Sequence, residues 1–168
     1  MQNKLADAKA EFKKADGLNA NNPIIQNNLA ICTRWEGDRK DAKAMLDKAK
    51  SAGPEVSYNL GIIAIQDGMY TDAVTDFGTN NTFNVALAKV LSGDLDGALS
   101  TLDKSAEKED ALSYYLRAVI GARKGNKDLV VNNLRTAISK DPSMKDHAKS
   151  DVEFLKMRDD ADFKGLIQ

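Results

Sequence analysis

One cysteine, one histidine and one tryptophan stand in a chain of 168 residues, and these shortages close off chemistry. Cys32 has no second cysteine to pair with, so no disulfide framework staples the fold. A cysteine nucleophile would also need a base that the sequence does not supply. His147 has neither a cysteine nor a second histidine near it, so no transition-metal ligand set exists. Three prolines and an aromatic content of 6% speak against a many-stranded sheet protein. Neither sign of charge is in excess: 24 basic residues face 25 acidic ones, for a net charge of -1. That balance excludes a surface built for nucleic-acid phosphate, which needs a basic excess to release counterions. It equally excludes an acidic interaction tail. No apolar run reaches the roughly 18 residues that a spanning helix requires, so no membrane insertion by this segment is expected. Met1-Gln2-Asn3-Lys4 lacks the basic stretch and apolar core of a signal peptide.

What is present points one way. Hydrophobic residues make up 42% and charged ones 29% of a length that suits one compact or solenoid domain. Ala, Leu, Lys, Asp and Asn dominate, a composition that favours helices and helix caps.

Four glycines mark an internal repeat: Gly37, Gly68, Gly93 and Gly125. Seven residues before each stands a small residue: Ala30, Gly61, Ala86 and Ala118. Five residues after each stands Ala42, Ala73, Ala98 or Val130, and four further on Leu46, Phe77, Leu102 or Leu134. Three beyond those come Ala49, Asn80, Ser105 and Ala137, and Pro54 and Pro142 close the first and last unit. Asp38, Asp94 and Asn126 directly follow three of the glycines. Glycine accepts a left-handed helix end at little cost, and Asp or Asn starts the next helix. Each unit therefore reads as helix, short turn, helix. Small residues let the two helices approach, and large ones fill the space between neighbouring pairs.

Ala8, Phe12 and Ala15 repeat the spacing of Ala42, Leu46 and Ala49, so a lone second helix precedes the four pairs, with residues 18–23 as its linker. Equivalent positions are 34 residues apart from Ala8 to Ala42, 31 to Ala73, 25 to Ala98 and 32 to Val130. The 25-residue interval predicts lost length at Gly78-Thr79-Asn80-Asn81, with one helix ending early and the next starting late.

Paired helices with a period near 34 and small-large-small columns resemble the tetratricopeptide repeats. Asn28-Leu29-Ala30, Asn59-Leu60-Gly61 and the closing Pro54 and Pro142 carry the resemblance over nearly the whole chain. It implies an all-α fold, a right-handed superhelical α-solenoid of antiparallel helix pairs. The implied division is 1–22 for the second helix of a truncated first repeat plus linker, 23–143 for four helix pairs, and 144–168 for C-terminal capping helices. The sequence departs from the family where its Trp is expected, at Gln26, Ser57, Thr82 and Tyr114, and where its Tyr is expected, at Thr33, Ala64, Lys89 and Gly121. Arg117 also replaces the leucine before Ala118.

The resemblance places ligands in a concave groove lined by the first helix of each pair. By position, Asn27, Asn28, Ile31 and Arg34 come from the first pair, and Tyr58, Asn59 and Ile62 from the second. Phe83, Asn84 and Leu87 come from the third, and Tyr115, Val119 and Arg123 from the fourth. Asn28, Asn59 and Asn84 share a column. Amides there can serve a peptide backbone without reading its sequence, or they simply support the repeat. Tyr58, Phe83 and Tyr115 are apolar anchors with little entropy cost, or groove filling. No lysine occupies the column of Asn27, Tyr58, Phe83 and Tyr115, so no strong binding of an acidic C-terminal tail is expected.

At the C-terminus, Phe154, Leu155, Phe163 and Leu166 are placed to cover the last repeat, with Asp159, Asp160 and Asp162 at a charged helix start. The acids lack the ligand spacing of a calcium loop. This ending is similar to those of bacterial repeat arrays, and the text as a whole to arrays of Gram-negative cell-envelope proteins. An envelope or periplasmic location follows from that likeness, with the cytoplasm as the other choice. The unpartnered first helix is expected to reflect excision from a longer protein, or self-association through Leu5, Ala8 and Phe12. The expected function is a protein-interaction scaffold taking a peptide or partner protein in its groove. It is not an enzyme and carries no cofactor or metal. The alternative is a structural spacer acting through its ends.

Overall fold

A computed structural model describes residues 2–50 and 53–168, with side chains from Lys4 onward. Met1, the start of the stretch tested for a signal peptide, lies outside the described residues. Among the described residues there is no strand. The chain divides into two compact units, Met1–Thr79 and Asn80–Gln168. The first holds α1 (Gln2–Leu18), α2 (Pro23–Trp35), α3 (Arg39–Lys48), α4 (Pro54–Gln66) and α5 (Tyr70–Phe77). The second holds α6 (Phe83–Ser92), α7 (Leu95–Lys104), α8 (Ala111–Lys124), α9 (Lys127–Lys140), α10 (Met144–Ser150), a 3-10 segment Val152–Met157, and α11 (Ala161–Ile167).

Caps read from the sequence fix where these helices start. The Asn22 side chain accepts from the backbone N–H of Ile24 at 3.0 Å, just ahead of Pro23 in the first turn of α2. Asp38, Asp94 and Asn126 each accept from a backbone N–H three residues on, at 2.9 to 3.0 Å. Each such bond satisfies a helix N–H that has no intrahelical partner. Helix ends fall where glycine permits them. Gly93 and Gly125, at φ 93° and 67°, are left-handed C-caps of α6 and α8.

The column pattern becomes the core. Ala30, Ala86 and Ala118 are fully buried, as are Ala42, Ala73, Ala98 and Val130 with the large Leu46, Phe77, Leu102 and Leu134. These residues pack the faces of the pairs α2–α3, α4–α5, α6–α7 and α8–α9. Asn80 is the exception in its column: it is exposed, because α5 stops at Phe77 and Gly78 turns the chain at φ 60°. That is the point where the 25-residue interval called for lost length, and it coincides with the boundary between the two units. The lone helix α1 packs on α2 with Leu5, Ala8 and Phe12 only half-buried.

Two glycines set helix separation. A Cβ on Gly61 would stand 2.6 Å from Phe77 Cε1, and one on Gly121 would stand 2.9 Å from the backbone nitrogen of Val130. Gly121 occupies a place where the family has a tyrosine. Here α8 and α9 approach too closely for any side chain.

Candidate functional site

In the first unit α2 carries Asn27, Asn28, Ile31 and Arg34, and α4 carries Tyr58, Asn59 and Ile62, the positions expected to line a groove. Successive turns of a helix bring i, i+4 and i+7 to one face. The amides do not stand as a free ladder. Asn59 donates from Nδ2 to Oδ1 of Asn27 at 2.9 Å, joining α4 to α2, and Asn27 is buried. Asn27 in turn donates weakly to Asn28 Oδ1 at 3.5 Å. The cross-helix bond therefore links Asn59 to Asn27 and not to Asn28, the residue that shares its column. Tyr58 lays its ring against Phe77 of α5, with centroids 5.0 Å apart. Asn28, Ile31, Tyr58 and Ile62 stay half-buried, so part of each faces solvent. A cavity of about 390 Å³ opens between Ile24, Asn27, Asn28, Glu55 and Val56.

Arg34 lies in the last turn of α2. Its guanidinium lies 5.1 Å from the ring centroid of Trp35, and its Nε is buried with no hydrogen-bond partner. Burial pushes its pKa down from the ordinary arginine value. Glu36, two residues on, pairs with Lys9 of α1 instead.

In the second unit, Phe83, Asn84 and Leu87 are half-buried on α6. The backbone N–H of Phe83 donates to Glu107 Oε2 at 2.7 Å, so a side chain from beyond α7 caps α6 where Thr82 makes no cap bond. On α8, the face of Tyr115, Val119 and Arg123 is already engaged by the chain itself. Tyr115 donates from its hydroxyl to Asp151 Oδ2 at 2.8 Å, and Phe154 meets its ring edge-on at 5.7 Å. Arg123 donates from Nε to Glu153 Oε2 at 2.9 Å, and its Nη1 donates to the Val90 carbonyl at 2.7 Å. Val119 is buried. Burial, and then the bond to Asp151, pushes the Tyr115 hydroxyl far above its ordinary pKa. The groove positions read on α8 are thus covered by Asp151–Phe154, a segment the sequence marked only as a cap. The signal was present in the spacing Asp-x-Glu-Phe, two acids and an aromatic in four residues, opposite a tyrosine and an arginine.

The remaining chemistry is spoken for. Phe154 and Phe163 are buried with ring centroids 5.5 Å apart. Asp160 caps α11 through the N–H groups of Asp162 and Phe163, and Asp160 and Asp162 each hold Lys127 at 2.8 Å. His147 is exposed. Cys32 is buried, and desolvation raises its thiol pKa, the reverse of nucleophile activation. Among the described residues, no group of three or more His, Cys, Asp or Glu side chains is disposed to hold a metal ion. Among them, too, no helix is long and apolar enough to cross a membrane.

No protein-family model matches the chain, and no curated protein matches it. Solved structures do. YrrB, a TPR protein with an unusual peptide-binding site, is similar over 88% of this chain and 84% of its own, with a TM-score of 0.70 and 26% identity. A chain of the APC/C hetero-tetramer Cut9-Hcn1 is similar in fold over 99% of this chain and 40% of its own, with a TM-score of 0.50 and 14% identity.

Proposed function

On a chain whose fold is the all-α helical repeat of the tetratricopeptide type, we propose a protein-interaction scaffold that receives a segment of a partner protein on the inner faces of α2 and α4. The observation that carries this reading is the occupied face of α8. There the start of the 3-10 segment is held by an aromatic contact, a hydroxyl–carboxylate bond and an arginine–carboxylate pair. The faces of α2 and α4 offer half-buried Asn28, Ile31 and Ile62 and the half-buried Arg34. The peptide-binding site of YrrB, on a similar fold, supports the same use. No catalytic step belongs to this reading.

The test is affinity capture from source-cell extract, read by mass spectrometry. Native protein is compared with an Asn28→Ala, Ile31→Ala, Tyr58→Ala, Ile62→Ala variant after circular dichroism shows both folded. Partners lost only from the variant support the scaffold, and identical partner lists remove the groove from it. A cell-envelope location, carried by the likeness of the sequence as a whole to arrays of Gram-negative cell-envelope proteins, belongs to the same reading. Fractionation of source cells checks it.

The alternative is assembly through the helix ends, favoured by one observation. Leu18 and Trp35 are largely exposed, and Phe12 of α1 is only half-buried. A concentration series in size-exclusion chromatography that shows a dimer abolished by Phe12→Asp would favour it.

A further inference from the structure

We propose that the segment taken by α2 is apolar and carries one basic residue, which pairs with the carboxylate of Glu55 beside the exposed Ile24. The inference rests on the scaffold reading and names the chemistry of its ligand.

Two large apolar side chains of α2 face solvent: Ile24 is 63% exposed and Trp35 67%. Ile31 and Asn28 lie between them, half-buried. At 3.6 residues per turn these four positions fall within about 60° of one another around the helix. Leu29, Ala30 and Thr33, on the opposite side, are buried. The stripe runs about 16 Å from Ile24 to Trp35 at the helical rise. An exposed apolar stripe with a polar residue inside it is a surface for a partner's apolar side chains. Its tryptophan supplies the large, rigid area that dominates such contacts.

Charge decides which segment fits. The cavity of about 390 Å³ is lined by Ile24, Asn27, Asn28, Val56 and Glu55, so among the described residues its one charged side chain is an acid. Glu55 stands in the first turn of α4 and makes no hydrogen bond or ion pair with another described residue. Acids near α2 are engaged: Asp16 accepts from Gln26 at 2.7 Å, and Glu36 pairs with Lys9. At the far end of the stripe the sign is reversed, since the Arg34 guanidinium lies 5.1 Å from the Trp35 ring centroid. A cation is attracted at the Ile24 end and repelled at the Trp35 end. The basic residue of the segment therefore sits beside the apolar side chain that meets Ile24. Asn28, whose Oδ1 receives only the 3.5 Å contact from Asn27, keeps bonding capacity for the segment's backbone.

The experiment titrates the full chain with the peptide Arg-Ser-Leu-Ser-Asn-Ser-Phe, N-terminally labelled and C-amidated, read by fluorescence anisotropy. Two further peptides carry Gln or Glu in place of Arg. Arg, Leu and Phe alternate with polar residues, so they share one face of an extended chain. The native chain should bind the Arg peptide about fivefold tighter than the Gln peptide, the upper end for an exposed ion pair, and the Glu peptide most weakly. Glu55→Lys should reverse that order and Glu55→Gln should abolish it. Asp7→Lys, the same charge change at an exposed position of α1, should leave it intact. Trp35→Ala should weaken all three peptides about tenfold. Circular dichroism shows each variant folded. An order unchanged in Glu55→Lys, or reversed equally by Asp7→Lys, would overturn the proposal. Tighter binding of the Glu peptide by the native chain, or no binding of any peptide, overturns the basic class alone, since the capture experiment judges the scaffold independently.

Discussion

Gly61 and Phe77 share one space: a methyl group on Gly61 would stand 2.6 Å from Phe77 Cε1. The ring cannot yield, because it is buried and packed against Tyr58. The other pairs place alanine at this position against smaller or branched residues, so the glycine answers the one phenylalanine in its column.

Gly61→Ala should therefore destabilise the first unit although alanine is the better helix former. The propensity gain is about 1 kcal/mol, whereas overpacking costs about 1–3 kcal/mol. A lower urea midpoint is the expected outcome. In a double-mutant cycle with Phe77→Leu the two changes should be non-additive, the leucine relieving the clash.

Asn59→Ala should cost about 1–3 kcal/mol, because it strips the donor from a buried Asn27 oxygen. Replacing both residues by leucine should restore much of the loss, since no polar atom is then left unpaired. Denaturation of the single and double variants checks this. A neutral Asn59→Ala would return the amide to a ligand-only role.

In the second unit, Phe154→Ala should cost about 3–5 kcal/mol as a buried aromatic truncation. Tyr115→Phe should cost less, towards the lower end of the roughly 1.5–3 kcal/mol of a bond to a charged acceptor. Hydrogen exchange should quicken across residues 151–157 in both variants and stay unchanged in α2 and α4.

The cap should also answer to pH. The bond from Lys127, with backbone N–H donors at Phe163 and Asp162, holds the Asp160 carboxyl below its ordinary 3.8. The same contact, with Asp162, raises Lys127 above its ordinary 10.5. A carboxylate with a lowered pKa stabilises fully above its unfolded value and loses that share as pH falls through the folded value. The lysine's share is complete below 10.5 and is lost at higher pH. NMR signals of α11 should thus be constant between those limits and weaken first below about pH 3.8. In Asp160→Asn, which keeps an acceptor for the cap, the acid transition should disappear.

Much of the fold was legible because it rests on local rules. Asp38, Asp94 and Asn126 cap where their position after glycine says, and the alanine and leucine columns are buried as their spacing implies. The shortened α5 was visible as a 25-residue interval. What escaped is what depends on distant side chains meeting. Asn27 outranks Asn28 as the partner of Asn59 because helix rotation, and not column number, decides which amide faces the neighbour. Glu107 caps α6, and Asp151, Glu153 and Phe154 cover α8, from segments whose path no periodicity encodes. Gly121 read as a departure from the family, and its reason is the Val130 backbone across the pair.

The central claim is that partners lie on the inner faces of α2 and α4. The most direct measurement places a photo-crosslinking amino acid singly at Asn28, Ile62, Ala44, Thr71 and Leu18, and maps adducts in source-cell extract by mass spectrometry. The account expects one partner captured from Asn28 and Ile62 and not from Ala44 or Thr71 on the second helices. Adducts from Leu18 alone, or equally from all positions, would contradict it and leave assembly through the helix ends as the function.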